Sequence, residues 1–242
     1  MNLVIDIGNT RIKLALFSDR DLMFNVPLDE LKVEHIQLFL DEHPQLNKAI
    51  LSSVREYPAE IRNFLNDKFE QFVELDHLTP VPIVNRYQTP ETLGLDRLAA
   101  AIGAADLFPG QNLLVVDAGT AITFDLVSAN NEYLGGNISP GLETRFKALH
   151  QFTGKLPLVG LKDEFQAIGT DTESAIRAGV QLGVIFETEQ YISYFNSIYP
   201  DLKVIITGGD ARFFDQKLKE GIYVHFNLTM IGLNRILEYN SR

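Results

Sequence analysis

The chain has 242 residues and a mass of 27.2 kDa, enough for one domain or two small ones with a substantial core. Its 21 basic and 32 acidic residues leave a net charge of −11, and the cations are scattered, which argues against a dedicated nucleic-acid binder. Cysteine is absent, which excludes disulfides, zinc–thiolate sites and cysteine nucleophiles. No apolar run approaches the roughly 18 residues of a membrane span. The opening Met1-Asn2-Leu3-Val4-Ile5-Asp6 has neither the basic nor the long apolar region of a signal peptide, so the expectation is a cytoplasmic protein with no membrane partner.

Leu3-Val4-Ile5 leads into Asp6-Ile7-Gly8-Asn9-Thr10, and Ile12-Lys13-Leu14-Ala15-Leu16-Phe17 follows, which predicts strand, tight turn, strand. Ala49-Ile50-Leu51 reads as a buried strand, and Ile61, Phe64, Leu65 and Phe69 fall on one helix face. Pro80, Pro82 and Pro90 mark an extended stretch. The Ala-rich segment from Asp96 to Phe108 reads as a helix with an acid in its first turn. Leu113-Leu114-Val115-Val116, Asp117-Ala118-Gly119-Thr120 and Ile122–Val127 then repeat the opening theme about half a chain later. The repeat predicts a duplicated α/β architecture, with halves 1–110 and 111–242 meeting near Pro109-Gly110. Gly135-Gly136 is expected to form a turn, followed by Ser139-Pro140-Gly141. Residues 172–196 predict a long helix with Ile176, Val180, Val184, Tyr191 and Phe195 on one face. Gly179 and Gly183 would let a neighbour approach it, a sheet being favoured over a second subunit. Val204-Ile205-Ile206 reads as a buried strand ending in Thr207-Gly208-Gly209-Asp210, and Leu228–Leu237 as a closing helix.

The chain contains no G-x-x-x-x-G-K-[ST], G-x-G-x-x-G, G-x-S-x-G or H-E-x-x-H, and its five histidines are dispersed. P-loop, dinucleotide-binding, hydrolase and zinc-protease readings therefore fall. What remains is the pair of Asp-x-Gly turns. A glycine after a strand admits an anion to the backbone, a threonine adds a donor, and an aspartate can hold a cation or its water shell. Two such turns facing across a cleft would grip a polyphosphate, with Lys13 neutralising charge. One such turn alone would more simply be an Asp satisfying its own turn amides. In Gly94-Leu95-Asp96-Arg97, Asp96 either caps a helix beside a solvated Arg97, or orients an acceptor hydroxyl and takes its proton. Tyr87 either packs or walls a substrate pocket.

The ordered set Asp6-Ile7-Gly8-Asn9-Thr10-x-x-Lys13, Gly94-Leu95-Asp96-Arg97, Asp117-Ala118-Gly119-Thr120 and Gly135-Gly136-x-Ile138-x-Pro140-Gly141 resembles the type III pantothenate kinases over nearly the whole chain. The resemblance implies an α/β fold of duplicated ribonuclease-H-like domains around a central cleft, of the actin-like ATPase (ASKHA) type. It implies ATP-dependent phosphorylation of the primary hydroxyl of pantothenate, the first step toward coenzyme A. It makes Asp96 the proton acceptor and Tyr87, Gly94, Leu95, Asp96, Arg97 and Thr172 the substrate-binding residues. It places ATP on Asp6, Ile7, Gly8, Asn9, Thr10, Arg11, Ile12, Lys13 and Thr120, with Mg²⁺. It makes Asp117 the ligand of a monovalent cation, K⁺ or NH₄⁺, and the protein a homodimer. Ile122 departs from the pattern, where many members carry Thr. The alternatives are a non-catalytic regulatory relative of the same fold and a kinase for another small alcohol.

Overall fold

The computed structural model describes residues 1–218 and 221–241. The chain forms two compact units: Met1–Pro109 with Asn131–Tyr133 and the segment from Asn227 onward, and Gly110–Asn130 with Leu134–Phe226. The closing helix and residues 131–133 thus pack with the first unit, a difference from a single division into 1–110 and 111–242.

In the first unit, β1 (Asn2–Ile7), β2 (Ile12–Ser18) and β3 (Asp21–Leu28) form an antiparallel meander. β4 (Lys48–Ser53) and β5 (Gln71–Glu74) run parallel to β1 on its other side, in the order β3-β2-β1-β4-β5. Leu3, Ile5 and Ile7 of β1 join Leu14, Leu51, Ile36 of α1 (Val33–Glu42) and Ile61 and Leu65 of α2 (Ala59–Lys68) in one core. The alternate residues Asn2, Val4 and Asp6 face the other side, as the two-residue period of a strand requires. There Asn2 Nδ2 donates to Asn234 Oδ1 of α7 (Leu228–Tyr239) at 2.8 Å. Both faces of β1 are covered, which is why its apolar run is continuous and not alternating.

α7 packs on α3 (Leu95–Leu107), and glycine governs the crossing. A Cβ on Gly232 would lie 1.7 Å from the Ala99 carbonyl oxygen, and one on Gly103 would lie 2.2 Å from that of Leu228. The two backbones meet where any side chain would hold them apart.

The second unit repeats the strand order. β7 (Leu113–Ala118) pairs antiparallel with β8 (Ala121–Ser128), and β9 (Glu132–Pro140) follows at that side. β10 (Lys203–Thr207) and β11 (Ile222–Val224) continue parallel on the other. β9 starts in the first unit, where it pairs with the short β6 (Val84–Asn85), and runs on into the second. The core unites Leu114, Val116 and Ala118 with Phe146 of α4 (Leu142–Phe152), Ile176, Val180, Val184 and Phe195 of α5 (Thr172–Ile198), and Phe213 and Phe214 of α6 (Ala211–Lys217).

Two local expectations are corrected. Gly135-Gly136 lies inside β9 and is not a turn; Gly136 lets the strand close on the Phe124 carbonyl, which its Cβ would approach to 2.3 Å. Gly179 and Gly183 meet no sheet, since a Cβ at either has open space within 4 Å. The buried face of α5 is the one carrying Ile176, Val180 and Val184, and these glycines stand off it.

Candidate active site

In the first unit, Asp6 is the last but one residue of β1, at the end where the parallel strands β1 and β4 terminate. Its antiparallel neighbour is Lys13 and its parallel neighbour is Ser52. Directly paired strand positions project to the same face, so Lys13, Asp6 and Ser52 form a row across three strands. Burial raises the Asp6 carboxyl from 3.8 to about 6; Lys13 opposes that rise and the charge of Asp96 adds to it. Asp6 Oδ1 and Ser52 Oγ are both buried without a hydrogen-bond partner. Native chains seldom leave such atoms unmatched unless a ligand or water completes them.

Asp96 stands in the first turn of α3, at the positive end of the helix dipole. Gly94 is the N-cap, so Asp96 does not cap the helix in the usual way; its Oδ1 accepts the backbone N–H of Arg97 at 2.8 Å. A Cβ on Gly94 would sit 2.6 Å from that same Oδ1 and displace the carboxylate. Arg97 is only 7% exposed, which removes the reading of a solvated surface charge. Its guanidinium carbon lies 5.8 Å from the Tyr87 ring centroid, and that ring lies 6.2 Å from Tyr133. Tyr87, Asp96 and Arg97 therefore belong to one constellation, with Asp6 and Lys13 tied to it through the Asp6–Asp96 repulsion.

The turn after β1 closes by Gly8 N–H donating to the Arg11 carbonyl at 3.0 Å, and the turn after β7 closes by Gly119 N–H donating to Ala121 at 3.0 Å. These two amides serve the hairpins. Asn9, Thr10 and Arg11 at the tip of the first are exposed, while Ile7 and Ile12 are buried and serve as its anchor.

In the second unit, Asp117 takes the place of Asp6, with Thr123 opposite it on β8 and Thr207 beside it on β10. Gly208 follows Thr207 with φ of +96°, and a Cβ there would lie 2.5 Å from Asp117 Oδ1 and 2.3 Å from the Ala118 carbonyl. The third glycine turn is thus built against Asp117. Thr120 is exposed, and its carbonyl accepts Thr144 Oγ1 at 2.6 Å and Gly141 N–H at 3.0 Å. Thr172 is exposed at the first turn of α5, after the Asp171 N-cap. Thr123 Oγ1 is buried and unpartnered. Ser52 and Thr123 were not singled out by sequence; the only available signal was a hydroxyl at the strand position level with each aspartate.

No group of three or more His, Asp or Glu side chains that could hold a metal occurs among the described residues. A divalent ion held by one carboxylate and substrate phosphates needs no such cage. Among the described residues no helix is long and apolar enough to cross a membrane.

A sequence model of the type III pantothenate kinases matches residues 2–194. Type III pantothenate kinases of Bacteroides fragilis and Phocaeicola vulgatus are 47% and 46% identical, each matching 100% of this chain and 99% and 100% of their own lengths. A Campylobacter jejuni structure described as a Baf family transcriptional activator is 25% identical with a TM-score of 0.65, over 99% of this chain and 98% of its own. A glucokinase from an Antarctic psychrotroph, 13% identical over 98% of both chains with a TM-score of 0.53, shares the fold. With its paired β-sheet units and full-length likeness to these kinases, the chain belongs to the type III pantothenate kinase family, enzymes that phosphorylate pantothenate in coenzyme A biosynthesis.

Proposed function

We propose that Asp96 is the base of the ATP-dependent phosphorylation of pantothenate, and that the observation carrying this is its placement: a helix-start carboxylate whose charge acts on Asp6, held by the Arg97 backbone N–H beside a buried Arg97 side chain that lies over Tyr87. Phosphoryl transfer asks little covalent chemistry of the protein; it asks for alignment and for charge to be matched as it develops. Asp96 accepts the hydrogen bond of the primary hydroxyl, aims its oxygen at the terminal phosphorus, and receives the proton as the new oxygen–phosphorus bond forms and the bond from that phosphorus to the bridging oxygen of ADP breaks, ADP leaving with the electron pair. Gly94 and Leu95 set the approach of the acceptor, Arg97 holds its anionic end, and Tyr87 walls the pocket. Lys13 neutralises phosphate charge, and the loop from Asp6 to Lys13 with Thr120 carries the nucleotide.

The family's use of ATP implies a divalent metal. The orphaned buried Asp6 Oδ1 fits Mg²⁺, or the water shell of Mg²⁺, held mainly by phosphate oxygens; the ion would neutralise phosphate charge. Asp117 fits a monovalent cation, since the buried, unmatched Thr123 Oγ1 stands beside it. We also propose a cytoplasmic homodimer, in which Thr172 reaches the pantothenate pocket.

The test is ADP release from ATP with Mg²⁺ in potassium buffer, with and without pantothenate. Release that requires pantothenate is expected; release with another small alcohol alone would move the acceptor assignment. Asp96→Asn should lower kcat by at least about 100-fold, within the range that a positioned acid or base contributes, while nucleotide affinity is retained. Unchanged turnover in that variant would remove Asp96 from the mechanism.

A further inference from the structure

The two sheets carry the same row of side chains at the same level. In the first it is Lys13–Asp6–Ser52 across β2, β1 and β4; in the second it is Thr123–Asp117–Thr207 across β8, β7 and β10. The pairing patterns agree on both sides of the aspartate, antiparallel to the first neighbour and parallel to the second. The central acid is common and the parallel neighbour is a hydroxyl in both rows. The rows differ at one place: the lysine of the first is a threonine in the second. Lys13 acts on Asp6 electrostatically, favouring its anion. Thr123 carries no charge, is only 9% exposed, and its Oγ1 has no hydrogen-bond partner.

Replacing a lysine by a threonine removes an ammonium group and several methylenes from a fixed location, and leaves an oxygen facing the freed space. Two oxygen donors on adjacent strands, a carboxylate and a hydroxyl, suit a hard cation. The group whose place Thr123 takes carries a single positive charge, the charge of an alkali or ammonium ion and not of a divalent one. We propose that the monovalent cation at Asp117 occupies the position of the Lys13 ammonium in the duplicate unit, and that Thr123 Oγ1 is its second ligand from this chain. The inference rests on the reading that Asp117 holds such a cation, and it adds the residue that fixes the location and charge.

The test is a Tl⁺ titration of the purified chain followed by thallium-205 NMR, with the melting temperature in potassium compared with choline chloride as a second readout. The wild type should bind Tl⁺ and Asp117→Asn should not; a wild type that fails to bind overturns the Asp117 reading, and the inference with it. Thr123→Val keeps the shape and deletes the oxygen. It should weaken Tl⁺ about 10- to 100-fold, the loss expected when one partner of a charged group is removed. Thr123→Ser should restore binding to within about threefold, by the same reasoning. If Asp117→Asn abolishes binding and Thr123→Val leaves it unchanged, the cation reading stands and the role of Thr123 is overturned. Thr123→Lys should supply the ammonium itself, so that turnover and melting temperature no longer respond to potassium; a folded Thr123→Lys enzyme that still needs potassium would overturn the equivalence. Should that variant not fold, the valine and serine pair decides.

Discussion

Replacing Asp6 by Asn should make the protein more stable and inactive, and the gain should depend on pH. Burial, aided by Asp96 and opposed by Lys13, raises the Asp6 carboxyl from 3.8 to about 6. A raised carboxyl is bound in its neutral form by the fold. Its stabilising contribution is therefore complete below about pH 3.8 and is lost as pH rises through about 6. About two pH units at about 1.36 kcal/mol each set an upper bound near 3 kcal/mol for the cost of the ionised group at neutral pH. Asparagine carries no charge at any pH. Urea unfolding at pH 7.5 should show Asp6→Asn more stable by up to about 3 kcal/mol, and the difference should shrink toward zero at pH 4. An equal difference at both pH values, or a loss at pH 7.5, would refute the argument that an ionised Asp6 is held at a cost to the fold. On the role proposed for Asp6, stability is surrendered at this site to keep a binding group charged.

Gly232→Ala should lower the urea midpoint, because its Cβ would have to force apart backbones that leave it 1.7 Å from Ala99 O. An overpacking cost of up to about 3 kcal/mol outweighs the gain of about 1 kcal/mol from better helix propensity. Gly179→Ala, also within a helix but in open space, should show only the gain and raise the midpoint. Asn234→Ala should cost about 2 kcal/mol in the same assay, by stranding the buried Asn2 amide and the Asp19 carbonyl that Asn234 joins. Tyr57→Phe should cost about 1 kcal/mol, since Glu74 loses the phenol hydrogen bond at 2.5 Å but keeps Arg62 at 2.7 Å.

The strands of the repeat were legible because they lie at the centres of their sheets. β1 and β7 are covered on both faces, so each shows an unbroken apolar run before its aspartate. β3 gave no such signal: it is an edge strand, with Asp21, Asn25 and Pro27 in a pattern of partial exposure that resembles a loop. The two-residue β6 is too short to leave a pattern. The aspartates, Lys13 and Arg97 stood out because charge beside an apolar run is conspicuous. Ser52 and Thr123 did not, because a hydroxyl at a strand end has many ordinary uses and only the pairing register sets it beside an acid. The glycines were misjudged for a related reason. Gly179 and Gly183 have the spacing of a packing face and meet nothing, whereas Gly103 and Gly232 are far apart in sequence and meet each other.

The α3–α7 crossing has a consequence for synthesis. α3 follows β6 and α7 follows β11, the last strand of each half of the chain, yet both helices belong to the first unit. As the chain leaves the ribosome, the half made first keeps the apolar flank of α3 and one face of β1 open until residues 228–239 have been translated. The second unit, begun later, has all its strands before that point. The half made first is thus the half whose core closes last, and a chain stalled before Leu228 would hold a finished second unit while the first still exposes the flank of α3 at Ala99 and Gly103 on which α7 packs.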